Sequence, residues 1–270
     1  MRLVSEIEQS LEQVAQWGRL NLVEFNPSKT QICAFSAKKD PFVILPQFQG
    51  TTLPISKSIG ILGIDISADV RFRSHLEGKA KLASKKLGVL NRSKRYFTPA
   101  QRLLLYKAQV RPHMEYCSHL WAGETAELLN PLDSVQRRAV RIVDDPILTS
   151  KLEPLDIRRD FGSLCVFYRL YNGECSEELF NLVPTAHFRH RTTRRGLGTH
   201  PHYVDPLLVS TRRFERTFLA RTIRMWNDLP ASVFPSDYDM GSFKRYIRGL
   251  FRGGQRTSDA PGVADVHRRR

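Results

Sequence analysis

Residues 155–172, LDIRRDFGSLCVFYRLYN, carry the strongest structural signal in this sequence. Their apolar side chains recur every three or four residues: Ile157, Phe161, Leu164, Cys165, Tyr168 and Tyr171. Because an α-helix turns once in about 3.6 residues, this spacing places them on one face. Gly173 follows directly, and glycine commonly ends a helix. The stretch therefore predicts an amphipathic helix that buries one face in a helical core.

Similar helical patterns lie on both sides of this stretch. Thr98-Pro99-Ala100-Gln101 has the sequence of a capping box with proline in the first helical position, and it predicts a helix that bends or stops near Pro112. Asn130-Pro131 predicts the start of another helix. Apolar periodicity predicts further helices over residues 3–17, which Gly18 would end, over 72–90 and over 240–251.

Three short apolar segments near the N-terminus have a different character. They are residues 30–35, 42–45 and 58–64, and Pro, Gly, Asn and Asp residues separate them. Short apolar runs bounded by turn residues are typical of strands. The predicted fold class is therefore α+β and mostly helical, with a small antiparallel sheet followed by helical regions.

Composition narrows the class of protein. The 270 residues contain 42 Lys and Arg against 27 Asp and Glu, a net charge of +15, and 41% are hydrophobic, which is enough for a core. We find no apolar run of transmembrane length, no signal-peptide core and no CxxC pair among the four cysteines. These features predict an intracellular protein of the cytoplasm or nucleus that is neither secreted nor bound to a membrane.

The basic residues occur in clusters, which favours a polyanionic partner. Residues 71–95 contain nine basic residues and one acidic residue, residues 189–195 contain four arginines, and residues 244–270 contain eight basic and two acidic residues. Nucleic acid is the polyanion that such clusters usually bind. A membrane surface, or a face that is merely solvated, is the alternative for any one cluster.

Motifs for enzyme chemistry are missing from the sequence: it has no Walker loop, GxGxxG, GxSxG or HExxH. His200 and His202 have a spacing that could bind a metal ion, but the surrounding arginines disfavour a cation. Asp144 and Asp145 form an adjacent carboxylate pair of the kind that polymerases use to hold two metal ions. Here the pair follows a helix and precedes Pro146, which predicts a helix end. We assign no catalytic residue and no metal ligand.

Several sequence segments, taken in their order along the chain, resemble segments of the reverse transcriptases of non-LTR retrotransposons, above all those of the jockey-like elements. The strings include WGRLNLVEFNPSKTQICAF at 17–35, SIGILGIDIS at 58–67, LLLYKAQVRPHMEYCSHLW at 103–121, LDSVQRRAVRIV at 132–143, RTTRR at 191–195 and MWNDLPASVF at 225–234. The resemblance covers roughly residues 1–250. It implies an RNA-directed DNA polymerase as the parent enzyme.

The resemblance also implies a domain organisation. Residues 1–66 match the end of the polymerase palm with its primer-grip strand, 67–145 a helical thumb, and 146–252 a helical C-terminal region with an Arg/His-rich exposed loop at 184–206; residues 253–270 are expected to be a disordered basic tail. In the family, the aspartates that hold Mg²⁺ precede the segment that matches Met1. The resemblance therefore implies a C-terminal fragment that needs no cofactor of its own and does not polymerise DNA alone.

Site residues follow from the same resemblance. Lys29 matches the motif D lysine, a candidate proton donor to leaving pyrophosphate, with an ordinary surface lysine as the alternative. Leu62 and Gly63 match the primer grip. The matching thumb segment and loop contain candidate contacts to the phosphates of RNA, DNA or an RNA–DNA hybrid: Lys79, Lys81, Lys85, Lys86, Lys94, Arg191, Arg194 and Arg195. A non-catalytic basic nucleic-acid-binding module and translated transposon debris without a selected function are the alternatives.

Overall fold

The computed structural model describes residues 2–36, 45–183 and 200–253. The described α-helices are α1 (Arg2–Leu20), α2 (Arg73–Ser93), α3 (Pro99–Leu105), α4 (Ser118–Trp121), α5 (Ala126–Val143), α6 (Pro146–Thr149), α7 (Leu155–Tyr171), α8 (Glu177–Phe180), α9 (Arg212–Glu215), α10 (Phe218–Asn227) and α11 (Met240–Arg252). The described strands are β1 (Gln47–Phe48), β2 (Thr51–Thr52), β3 (Ser58–Ile61) and β4 (Ile64–Ser67). The fold is α+β and mostly helical, which confirms the predicted class.

The chain divides into two compact units, residues 1–79 (the N-terminal unit) and residues 80–270 (the C-terminal unit). Within the described ranges, no helix is both long and apolar enough to cross a bilayer. Part of the predicted Arg/His-rich loop, residues 184–199, and nearly all of the predicted basic tail, residues 254–270, lie outside the described residues.

The N-terminal unit packs α1 against the short β1–β2 hairpin. Ala15 is buried together with Phe48 and Leu53, and the Glu8 carboxylate of α1 accepts a hydrogen bond of 2.9 Å from the backbone N–H of Gln47. Gly18 does not end the helix, which continues to Leu20. Glycine is required there because a Cβ would lie 2.6 Å from the carbonyl oxygen of Val23, where the chain folds back on the helix.

The strands form two separate antiparallel hairpins, β1–β2 and β3–β4, so the prediction of one three-stranded sheet is wrong. Residues 30–35 contribute one isolated parallel bridge, from Ile32 to Ile55. Residues 42–44 lie outside the described part of the chain. The third predicted strand reverses at Leu62 and Gly63, because both residues have positive φ, +48° and +80°, as a tight hairpin turn requires.

Helix α7 is central to the C-terminal unit and contacts α4, α10 and α11. The predicted helix 155–172 is therefore confirmed, as are the predicted helix that became α11 and the capping box at Thr98, whose side chain accepts from the N–H of Gln101. The helix predicted to open at Asn130 instead begins at Ala126, so that Pro131 lies inside α5. Leu128 belongs to the same buried face, which explains the earlier start.

Two residues at the described end of the predicted exposed loop, residues 200–206, are not exposed. His200 and Val204 are buried against the region of Trp226, whose indole N–H donates to the carbonyl of His202 at 2.7 Å. The side-chain amide of Asn227 both accepts from the N–H of Val204 (3.0 Å) and donates to its carbonyl (2.8 Å). These hydrogen bonds take the place of the backbone hydrogen bonds that a neighbouring strand would supply. No local sequence pattern predicts them, because the bonded residues are more than twenty positions apart.

Candidate nucleic-acid interface

Helix α2 presents one apolar face to the protein and leaves the rest to solvent. Its buried apolar residues are Leu76, Ala80, Ala83, Leu87 and Leu90, and His75 is buried beside them in the sequence. Leu82, which is also apolar, does not belong to this face and is 37% exposed. The helical phase set by Leu76 and Leu87 selects the two alanines instead, because each residue turns the helix by about 100°.

The same phase separates the four predicted lysines of α2 into two pairs. Lys81 and Lys85 are one turn apart, opposite the buried face, and both are exposed. Lys79 and Lys86 flank the buried face, about 100° or more around the axis from the first pair, and both are partly buried. Because the pairs point to different sides, one surface of the helix cannot use all four.

The exposed pair belongs to a stripe of cations that extends onto α5. Arg138 of α5 donates from Nη2 to the Ser84 hydroxyl at 2.7 Å, and Ser84 lies about 60° around the helix axis from Lys81, so the guanidinium meets α2 next to the Lys81 edge of the exposed pair. Arg92 lies two turns beyond Lys85, and its Nη1 is 3.8 Å from where a Cβ on Gly88 would be. We call these four residues, Lys81, Lys85, Arg92 and Arg138, the basic stripe.

In the described part of the chain no carboxylate forms an ion pair with a member of the basic stripe, and Glu77, one turn before Lys81, pairs with Arg73 at 3.6 Å. Other arginines of the C-terminal unit are paired. Arg159 makes two hydrogen bonds to the Asp133 carboxylate (2.9 and 3.3 Å), and Arg221 bonds the Asp160 carboxylate at 2.7 Å. The basic stripe is therefore set apart from cations that hold the fold together.

The end of α5 is held in place by capping contacts. The Arg102 guanidinium donates to the carbonyls of Ile142 (3.2 Å) and Val143 (3.3 Å), which α5 leaves without helical partners. Asp144 then adopts a left-handed conformation with φ of +58°, and the Asp145 carboxylate accepts from the N–H of Leu148 to open α6. The prediction that this carboxylate pair marks a helix end is confirmed.

Lys94 lies in a short 3₁₀-helix, Lys94–Tyr96, which follows α2 directly. Its side chain is exposed, while its carbonyl accepts from Nε of Arg102 at 3.1 Å. Tyr96 next to it is 68% exposed, and the Arg95 guanidinium lies 4.7 Å from the centre of the tyrosine ring. An aromatic ring covered by arginine, next to lysine, is a surface on which a base can stack.

Sequence reasoning missed Arg138, Arg95 and Tyr96. The signal for Arg138 was available in QRRAVRIV, where arginines alternate with the buried side chains of an amphipathic helix. That signal does not show that the side chain reaches Ser84, 54 residues earlier in the chain. Arg95 is the last residue of the basic segment 71–95, but the family resemblance assigns it no role.

The candidates carried over to the N-terminal unit lie on turns. Lys29 ends an exposed 3₁₀-helix, Pro27–Lys29, which the Asn26 side chain caps by accepting from the N–H of Ser28. Leu62 and Gly63 form the tip of the β3–β4 hairpin, where Leu62 is 86% exposed. Arg191, Arg194 and Arg195 lie outside the described residues. The roles of these residues stay predictions.

Both ring nitrogens of His200 take part in hydrogen bonds. The His200 ring accepts from the N–H of His202 at Nδ1 (3.1 Å), so its proton lies on Nε2 and is donated to the carbonyl of Trp226 (3.1 Å). Burial lowers the pKa of His200, which favours this neutral form. Across the described ranges, no group of three or more His, Cys, Asp or Glu side chains could hold a metal ion.

Comparison with protein-family models, with curated proteins and with solved structures finds no match to this chain.

Proposed function

We propose that this chain is the thumb-containing part of a reverse transcriptase of a non-LTR, jockey-like retrotransposon, and that it holds an RNA–DNA duplex by its phosphates. The order of the resembling strings supports the family. The observation that carries the binding role is the basic stripe, where Lys81, Lys85, Arg92 and Arg138 share one surface without a carboxylate partner in the described chain. The site of action is intracellular, in the cytoplasm or nucleus.

The basic stripe has the dimensions of a backbone contact. Lys81 and Arg92 are eleven residues apart, which is about 16 Å along a helix. One strand of duplex DNA carries a phosphate every 3.4 Å or so, so the stripe can face about five phosphates. Contacts of this kind fix the position of a duplex without reading its bases. We therefore expect binding that depends strongly on salt and weakly on sequence.

The two lysine pairs of α2 supply a matched experiment. Lys81→Ala/Lys85→Ala removes two charges from the stripe, and Lys79→Ala/Lys86→Ala removes two charges from another side of the same helix. A labelled RNA–DNA hybrid and a DNA duplex of equal length are titrated at several salt concentrations. Each lost phosphate contact lowers the slope of log affinity against log salt by about 0.9. The stripe variant should lose about 1.8 of slope, and the control much less.

Equal slopes for the two double variants would contradict the proposal, because the stripe would then be only a solvated face. Alanine keeps the helical propensity of α2 high, so the variants should fold. Circular dichroism and thermal unfolding of both variants check this directly. A second check replaces Asp144 and Asp145 by Asn: since the pair caps helices, the affinity for either duplex should stay within about twofold.

A further inference from the structure

A cleft of about 550 Å³ lies in the C-terminal unit, apart from the basic stripe. Its walls are the segment Ser150–Pro154, the first half of α7 and the last turns of α11. A volume of this size is within the range of about 300–1,000 Å³ typical of small-molecule sites. The proposed duplex contact does not use any of its residues.

The floor of the cleft is apolar and aromatic. Ile157 and Phe161 of α7 and Phe251 of α11 line it, and each is partly exposed. The Arg248 guanidinium lies over the Phe161 ring, 4.9 Å from its centre. Aromatic rings and guanidinium planes are the surfaces on which unpaired bases stack in protein–nucleic-acid complexes.

The rim of the cleft is cationic. Lys151, Arg248 and Arg252 are exposed, and Glu153 is the carboxylate among the lining residues. The Glu153 carboxylate forms ion pairs with three arginines: Arg158 at 3.2 Å, Arg252 at 3.4 Å and Arg248 at 3.8 Å. Because one carboxylate is shared among so many cations, the rim retains positive charge for an anionic ligand.

We propose that this cleft binds one nucleotide of an unpaired strand, with the base against Phe251 and the Arg248–Phe161 pair and the phosphate on Lys151 and Arg252. The combination of a flat apolar floor and a cationic rim fits a ligand with a flat ring and a phosphate. The bases of a duplex are stacked on each other and cannot enter. The inference rests on the proposed nucleic-acid-binding function and adds a site for the single-stranded part of the substrate.

Two variants of the full chain test the two halves of the site. Lys151→Ala/Arg252→Ala removes the phosphate contacts, and its matched control, Arg169→Ala/Arg212→Ala, removes two exposed arginines that do not line the cleft. Phe251→Leu removes the ring and keeps an apolar side chain. The probes are a fluorescein-labelled oligothymidylate of ten nucleotides and a labelled blunt-ended RNA–DNA hybrid. Fluorescence anisotropy measures the binding of each probe.

We expect the cation variant to lower the salt slope for the single strand by about 1.4, because each contact on a single strand contributes about 0.7. Phe251→Leu should weaken single-strand affinity at least fivefold or so, since base–aromatic stacking is worth about 1 kcal/mol or more. Neither variant should change affinity for the blunt hybrid, and the control should match the wild type. Millimolar AMP should displace the oligothymidylate, whereas equal inorganic phosphate should not.

Each other outcome has a definite meaning. Single-strand affinity that is unchanged in both cleft variants overturns the inference and leaves the duplex proposal intact. Displacement by oligoglutamate as effective as by AMP overturns it in favour of an acidic peptide. If the wild type does not bind the hybrid but the cleft variants still lose single-strand affinity, the duplex proposal fails and the cleft stands. If Phe251→Leu unfolds the protein, Lys151→Ala/Arg252→Ala is the variant that decides the test.

Discussion

The two units of this protein differ in how much apolar surface they bury. In the N-terminal unit, the cluster around α1 has three buried side chains, Ala15, Phe48 and Leu53, while Leu20 and Leu22 are 78% and 96% exposed. In the C-terminal unit, a single cluster around Trp226 contains thirteen buried side chains. Since hydrophobic stabilisation follows the apolar area removed from water, the C-terminal unit should hold most of the stability.

Polar contacts follow the same division. In the C-terminal unit the ion pair between Arg159 and Asp133 is largely buried, with side-chain exposures of 4% and 26%. The pair between Arg19 and Glu12 on α1 is open to solvent, with exposures of 61% and 67%. Removing one partner of a buried ion pair lowers the stability of a protein far more than removing one partner of an exposed pair. The C-terminal unit therefore has the larger buried cluster and the more deeply buried ion pair.

The largest expected effect comes from the tryptophans. Trp226→Ala should lower the free energy of unfolding by about 3–5 kcal/mol, because the fully buried indole packs against Phe167, with ring centres 4.9 Å apart, and donates a hydrogen bond. Trp17 of α1 is 55% exposed, so Trp17→Ala should cost less than about 1 kcal/mol. Urea unfolding followed by circular dichroism measures both. Equal losses of unfolding free energy in the two variants would contradict the conclusion that the C-terminal unit holds most of the stability.

The next effect concerns the ion pairs. Asp133→Ala should cost about 3 kcal/mol, since it leaves the Arg159 guanidinium buried without its carboxylate. Glu12→Ala should cost no more than about 1 kcal/mol, because the pair it breaks is exposed. The double variant Asp133→Leu/Arg159→Met should recover much of the loss by replacing charge with apolar packing. No recovery would point to a need for the charges themselves.

A smaller effect is expected at the tip of the β3–β4 hairpin. Leu62 has a φ of +48°, and a left-handed conformation costs a branched side chain about 1–2 kcal/mol. Leu62→Asn creates the Asn-Gly pair that such turns prefer and should stabilise the N-terminal unit by about 1 kcal/mol. Gly63→Ala should do the opposite, because φ there is +80°. Amide hydrogen exchange at Ile59 and Ile66, which pair across the hairpin, reports the change locally.

The smallest effect concerns pH. Burial lowers the pKa of His75 in the N-terminal unit and of His200 in the C-terminal unit. Below a pH of about 6.5 the unfolded chain binds protons that the folded rings resist, so stability should fall as the pH falls through this range. Unfolding free energies at pH 7.5 and 5.5 measure the loss. His200→Asn should reduce the pH-dependent part, and an unchanged pH dependence would show that His200 does not contribute.

Local sequence patterns were enough to predict much of the secondary structure of the C-terminal unit. The spacing around Phe161 and Leu164 predicts α7, Thr98 and Gln101 predict the capping box, and the position of Asp144-Asp145 before Pro146 predicts a helix end. Each of these features depends on residues within a turn or two of one another. The N-terminal unit was predicted less well, because short strands take their partners from elsewhere in the chain and 30–35 found only one bridge.

The amino-acid sequence alone determined the helical class, the capping box at Thr98, the helix end at Asp144-Asp145 and the surplus of lysine and arginine residues. Only the tertiary structure decided what those residues meet. Arg138 reaches Ser84 across 54 residues, and the cleft joins α7 to the end of α11, about ninety residues later. The physical reason is that propensity and capping act over a few residues, whereas a surface or a cleft exists only once distant helices have packed.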